Sequence, residues 1–250
     1  MEFETHEPEV SITPLEGEEM EVKLKVGIPS YFAVAEEGYE AEWAFYDWPE
    51  RVLTEISQTK YIGKILIGGE ECYEFSVLDF DPKRDYQLES EGRTYCKIKG
   101  DKVVVLRSVR RPVGEVAVEE EVEGWEEPLR LWVGMKFYSE GDVYRCGDRV
   151  RYGSGPALEE VTGVVQVKIG DRKFKCLRCL WVPDPARKGE QERLQAAEWY
   201  VDQEGRCIFF RRYNGKGWHN LEKLKDCPKL EHEGEAFYLW YDCIPGYVLE

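Results

Sequence analysis

The chain has 250 residues, 42% hydrophobic and 34% charged, with 50 acidic side chains against 34 basic ones and a formal charge of −16. A chain of this length buries a sizeable core, and its apolar fraction excludes a disordered polymer. The acidic balance repels phosphate backbones and anionic lipid, so neither nucleic acid nor a membrane is an expected partner.

Residues 1–8 carry no basic region and no apolar run, and no stretch reaches membrane-spanning length, so an export signal is not expected. With that context the eight cysteines are read as reduced thiols of a cytoplasmic protein, most of them small buried hydrophobes. Tyr39, Ala41, Trp43 and Phe45 alternate with Glu40, Glu42 and Ala44, the period of a strand. Turn pairs Gly68-Gly69 and Gly100-Asp101 then divide apolar runs into two hairpins, 62–67 with 71–78 and 93–99 with 102–109. An acidic stretch over 112–128 follows, itself containing the strand candidate 115–118. Gly141-Asp142 separates 131–138 from 143–146 as a further hairpin. Beyond it, 162–169 pairs with 173–182 around Gly170-Asp171, and 198–202 with 206–213. Residues 186–197 are good helix formers with no β-branched side chain, which predicts one or two helical turns. An aromatic strand over 235–242 closes the chain before Pro245-Gly246.

The order of these elements repeats. Tyr61-Ile62-Gly63 matches Val161-Thr162-Gly163, and Tyr95 to Gly100 matches Tyr200 to Gly205, at offsets of 100 and 105. The loops between hairpins carry Asp81-Pro82 and Asp184-Pro185. A wider match sets Val26-Gly27 and Tyr31 against Val133-Gly134 and Tyr138, and Arg107 against Arg212. The expected fold is all-β: two tandem antiparallel units from an internal duplication, with a short helical insertion in the second. The N-terminal unit spans 1–112 (repeat about 61–111), an acidic connector 113–127, and the C-terminal unit 128–250 (repeat about 161–214).

Chemistry-bearing constellations are sparse. Cys176-Leu177-Arg178-Cys179 has the spacing of a metal knuckle, but a four-ligand site needs a second pair, and positions i and i+3 of a strand face opposite sides. No phosphate loop, nucleophile elbow or helical zinc motif is present. No metal and no cofactor is therefore expected. The densest mixtures of aromatic and polar groups are Phe209 to Asn214 with Gly217-Trp218-His219, and Leu239 to Ile244. Candidate binding residues are Arg211, Arg212, Tyr213, Trp218, His219, Trp240, Asp242 and Cys243, because arginines beside aromatics can hold a carboxylate or phosphate in an apolar setting. The competing reading is a hydrophobic core that needs large side chains.

Ala197 to Arg206, Arg211-Arg212-Tyr213-Asn214 and Trp240 to Ile244 together resemble uncharacterised bacterial proteins of Firmicute type, over the last quarter of the chain. More distantly, the repeated hairpins look like the curved antiparallel sheets of lipoprotein-carrier-like proteins. That resemblance implies export and an apolar groove, from which this chain departs in its N-terminus. The leading expectation is a non-enzymatic cytoplasmic binding or interaction protein for a small molecule or protein, with one site nearer the C-terminal half. The alternatives are a hydrolase using carboxylates or Cys243, and a structural protein that forms a homodimer.

Overall fold

A computed structural model describes residues 8–25, 35–115, 118–123, 126–139, 142–145, 151–152, 157–184, 186 and 193–249. Among these, the fold is all-β. The N-terminal segment gives β1 (Val10–Pro14) and β2 (Glu21–Lys23). A meander follows: β3 (Glu40–Asp47), β4 (Val52–Ile67), β5 (Glu70–Asp81), the 3-10 turn η1 (Pro82–Arg84), β6 (Gln87–Lys99) and β7 (Lys102–Pro112). Over the acidic connector run β8 (Val118–Glu123) and β9 (Glu126–Pro128), both paired with β7. Next come β10 (Arg130–Trp132), β11 (Lys136–Ser139), β12 (Asp142–Arg145) and β13 (Arg151–Tyr152). A second meander is built from β14 (Ala157–Ile169), β15 (Arg172–Pro183), β16 (Gln195–Asp202) and β17 (Cys207–Asn214). The chain ends with α1 (Leu221–Leu224), β18 (Lys229–His232), β19 (Glu235–Pro245) and α2 (Gly246–Leu249).

The two meanders share detail that pairing alone does not require. Bulges interrupt the first hairpins at Tyr61/Gly63 and Val161/Gly163, and the second hairpins at Tyr95/Cys96 and Tyr200/Val201. After β5 and β15, Asp81 and Asp184 each accept a backbone N–H two residues on, from Lys83 at 2.8 Å and Ala186 at 2.9 Å. Glu40–Lys60 and Lys136–Glu160 are ion pairs at equivalent positions of β3–β4 and β11–β14 with their signs exchanged, as are Glu74–Arg93 and Arg178–Glu198 across β5–β6 and β15–β16.

Register corrects two sequence-based alignments and two expected elements. The second hairpin of the C-terminal meander is shorter: Cys96 pairs with Val105, whereas Val201 pairs with Cys207. The backbone counterpart of Arg212 is consequently Arg110, opposite Gly92, and not Arg107. Gly134 and Met135 correspond to Gly38 and Tyr39, since Met135 and Tyr39 accept equivalent bonds from Val161 and Tyr61; Val26-Gly27 and Tyr31 lie outside the described residues. The strand expected over 131–138 is split by the Gly134 turn, so that β10 pairs with β2 while β11 pairs with β14. In the expected helical insertion, Gln195, Ala196 and Ala197 are strand, because pairing with β17 and burial in the sheet override helix propensity; residues 187–192 lie outside the described residues.

The halves are joined by strand pairing. β19 of the second pairs with β3 of the first, β8 pairs with β12, and β1 pairs with β14. Side-chain alternation gives the second half two covered faces. On one, Trp43, Leu177, Cys179, Trp199, Phe210 and Cys243 pack beneath the small β2–β10 sheet through Val22 and Leu131. On the other, Tyr46, Val167, Cys176, Tyr200, Phe209 and Ile244 pack with Val248 of α2. Each fully buried large side chain contributes about 1.5–3 kcal/mol, so β16, buried along nearly its whole length, is the structural spine.

Candidate functional site

The eight candidate residues do converge on β17, β19 and the loop before α1, but they divide between the two faces of the sheet. On one face a ladder of charge crosses four strands. Glu198 is opposite Arg211, and Arg211 is opposite Asp242. Arg211 Nε donates to Asp242 Oδ1 at 2.8 Å, and Trp48 Nε1 donates to Oδ2 at 3.1 Å. Glu198 Oε1 accepts from Arg178, with Nε at 2.7 Å, and its Oε2 accepts from the Tyr213 hydroxyl at 2.5 Å. Glu198 is 3% exposed and Asp242 is fully buried.

A carboxylate taken from water is costly unless paired, and here each of the four oxygens accepts from a protein donor. Burial opposes the charge on Arg178 and Arg211, but the facing carboxylates outweigh it, so both guanidinium groups hold their protons more tightly than usual. Burial first, then the Glu198 carboxylate, pushes the Tyr213 hydroxyl well above its ordinary range. This geometry locks strands together. It gives no support to a carboxylate hydrolase, which needs an acid or base directed at a substrate.

Cys243 lies on the opposite face, fully buried beside Trp43 and Phe210. Burial raises its thiol well above the ordinary value, with Cys207, Glu55 and Asp242 adding to the effect. A reactive thiol needs the reverse, exposure and a lowered pKa, so the nucleophile reading of Cys243 is not supported. Cys176 and Cys179 belong to different core clusters on opposite faces of β15, so they cannot form one knuckle.

The remaining candidates form a second constellation. Trp181, Ala197, Arg212 and Tyr241 occupy one row across β15, β16, β17 and β19. The short Ala197 side chain leaves space over which Arg212 reaches Trp181, with its guanidinium carbon 5.2 Å from the ring centroid. Arg212 Nη2 donates to Gln195 Oε1 at 2.7 Å; Gln195 donates onward to Asn214, and Asn214 to Asn220, each at 3.0 Å. No carboxylate pairs with Arg212 among the described residues. A bulge between Arg212 and Tyr213 makes Trp240 the extra residue of β19. Its ring meets Tyr241 edge-on at 5.0 Å and Trp218 at 5.8 Å, and Arg193 covers Trp218 at 5.1 Å. Trp218 Nε1 is shielded from solvent without an acceptor among the described residues. His219 is exposed beside it.

Trp181, Gln195 and Arg193 are members that sequence reasoning missed, as are Arg178, Glu198 and Trp48 of the ladder. The cross-strand pairing of the repeated hairpins was the available signal for Trp181, because it sets Trp181 opposite Ala197. In the first meander the corresponding backbone row is Val77, Gly92 and Arg110, with no aromatic at the place of Trp181.

No family model and no curated protein matches the chain. Among solved structures it is similar to a Bacteroides fragilis protein with a YmcC-like fold, provisionally described as exported. Identity is 10%, the match covers 86% of this chain and 97% of that one, and the TM-score is 0.48. A likeness at that level carries no function or compartment across. Among the described residues no helix is long and apolar enough to cross a membrane.

Proposed function

We propose that the chain is a non-enzymatic binding protein, derived by internal duplication, whose site is the Trp181–Arg212–Tyr241 row bordered by Trp218 and Trp240. The observation that carries this reading is the contrast between neighbouring arginines. Arg211 is neutralised by a buried carboxylate, whereas Arg212 sits over an indole, its guanidinium carbon 5.2 Å from the ring centroid, and among the described residues it donates to an amide and to no carboxylate, in a protein of net charge −16. A guanidinium stacked on an aromatic and left with free donors is suited to a carboxylate or phosphate attached to an apolar body. The Trp218 indole N–H, without an acceptor among the described residues, offers a second donor close by. The seven described cysteines are all buried and unbridged, which supports a reducing compartment and hence the cytoplasm.

Native followed by denaturing mass spectrometry, with a thermal-shift panel of aromatic carboxylates and phosphate esters, tests the reading. Arg212→Ala and Trp181→Val, the latter copying the first meander, should each weaken binding at least about tenfold while the melting temperature stays close to wild type. If Arg212→Ala, Trp218→Ala and Trp240→Ala all lower the melting temperature and no panel member binds the wild-type chain, the cluster is core and the reading fails.

A further inference from the structure

We propose that the edge of β4 over residues 62–67 is a docking site for an extended strand of a partner polypeptide. The argument rests on how the same edge is used in the other meander. There, the C-terminal half of β14 is covered by β1, antiparallel, from Val10 opposite Ile169 to Pro14 opposite Val165. Leu15 N–H donates to the Val164 carbonyl at 2.9 Å at the end of this pairing, immediately past the bulge at Gly163. Val10 and Ile12 thereby join Val165, Val167 and Ile169 in one apolar cluster.

β4 presents the corresponding edge, two residues shorter, without a covering strand among the described residues. β3 pairs with β4 only as far as Lys60, and Tyr61 N–H donates to Tyr39 at 3.1 Å. Beyond that point no strand pairs with this edge among the described residues. The parity seen in β14 turns the N–H and C=O groups of Lys64 and Leu66 toward the open side. Ile65 and Ile67 stand where Val165 and Val167 receive β1. The edge also lacks the devices that normally blunt one. It has no proline, and the bulge at Gly63 matches one that does not keep β1 from β14. Lys64 does not guard it either. Its Nζ donates to Glu71 at 2.7 Å and sits 5.4 Å from the Tyr73 ring centroid, both on the β5 side. Meanwhile Leu66 is 75% exposed and Ile62 45% exposed.

The occupant is defined by β1 itself: an uncharged antiparallel segment of at least five residues, with a β-branched side chain opposite Ile67, as Ile12 stands opposite Val167, and an uncharged residue opposite Ile65, where β1 has Pro14. Main-chain bonds would supply the affinity and the isoleucines the register, the usual division in strand addition.

The probe is a labelled peptide with the sequence of residues 9–15, titrated against the full chain by fluorescence anisotropy. Saturable binding is expected. It should weaken at least tenfold in Leu66→Pro, which places proline where no β4–β5 bond is lost. Two modified peptides need no protein variant. N-methylation at the positions of Thr13 and Leu15, whose amides face β14 at Gln166 and Val164, the counterparts of Leu66 and Lys64, should abolish binding; N-methylation at Val10 and Ile12 should not. Hydrogen exchange on the free chain should show the Lys64 and Leu66 amides unprotected. Absent saturation up to millimolar peptide, equal binding by Leu66→Pro, or protected amides in the free monomer would each overturn the proposal. Concentration-dependent dimerisation that Leu66→Pro abolishes would also overturn it, by identifying a second copy as the occupant.

Discussion

β6 and β16 are third strands of meanders with the same course, yet they live in different environments. β6 is exposed along most of its length, with Ser90, Thr94 and Cys96 as buried points. β16 is buried at every position after Gln195. The difference lies in what covers them. Strand β1, the β2–β10 sheet and α2 all add to the second half, so its strands are enclosed on two faces. The first meander keeps an open face laced with surface pairs such as Lys64–Glu71, Lys97–Glu70 and Arg111–Glu91. One pleated plan thus serves as a solvated sheet and as a two-sided core, and the same polar position acquires a different energetic meaning in each.

The exchanged ion pairs offer the strongest way to break that comparison. Glu198→Ala strips Arg178 and the Tyr213 hydroxyl of their shared acceptor inside the sheet, and should cost about 3–5 kcal/mol. Arg93→Ala removes the equivalent partner from Glu74 at the surface and should cost about 0.5 kcal/mol or less. Urea unfolding of the two variants decides the matter. Similar losses would mean that burial does not separate the meanders.

Gly205 and Gly100 provide the next test, because both occupy the left-handed region, at φ of 80° and 65°, in equivalent hairpins. A methyl group on Gly100 meets open space, so Gly100→Ala carries only the conformational penalty of about 1–2 kcal/mol. On Gly205 it would overlap the Lys23 carbonyl oxygen, and Lys25 N–H donates to the Gly205 carbonyl at 3.3 Å. Gly205→Ala should therefore cost about 1 kcal/mol more than Gly100→Ala and should raise hydrogen exchange in β2 and β10. A loss confined to the turn would show that the β2–β10 sheet is not held there.

Turn chemistry explains how much of this was readable beforehand. Gly68-Gly69 and Gly170-Asp171 marked hairpins that exist, and the matched Gly63 and Gly163, read only as equivalent positions, both follow bulges. The slip from Arg107 to Arg110 was not readable, since an eye aligning Gly100 with Gly205 does not see that the hairpin of the C-terminal meander is the shorter one. Nor was the two-sided burial of β16 legible. Ala-Ala-Glu-Trp-Tyr-Val-Asp reads as amphipathic until Glu198 meets Arg178 and Tyr213, and Asp202 accepts the Glu204 and Arg206 amides. β1 and β2 escaped notice because short strands far from their partners in sequence lack a local signal. Among the candidate site residues, the aromatics and arginines were found by composition. Their division between a structural ladder and a second row on the opposite face needed the register.

Thiol titration sharpens the comparison in a subtler way. Burial pushes Cys96 and Cys207 up to about 12, and raises Cys176, Cys179 and Cys243 as well. In the unfolded chain a thiol ionises near pH 8.5, roughly. Below that pH both states keep the proton and the shift has no effect on stability. Above it the unfolded state loses a proton that the folded state retains, so stability falls as pH rises toward the folded pKa. Each such thiol contributes a slope of about 1.4 kcal/mol per pH unit. Four of the five lie in the covered half, so alkaline unfolding should begin there. Between pH 9 and 11, roughly the window set by these two pKa values, Cys207→Ala should flatten the dependence of unfolding free energy on pH by one thiol's slope. Alkylation followed by peptide mapping should label Cys176, Cys179, Cys207 and Cys243 together, in step with the loss of Trp199 fluorescence. Stepwise labelling of these four below the transition would instead mean that the second half opens locally, and that its two covering layers do not act as one.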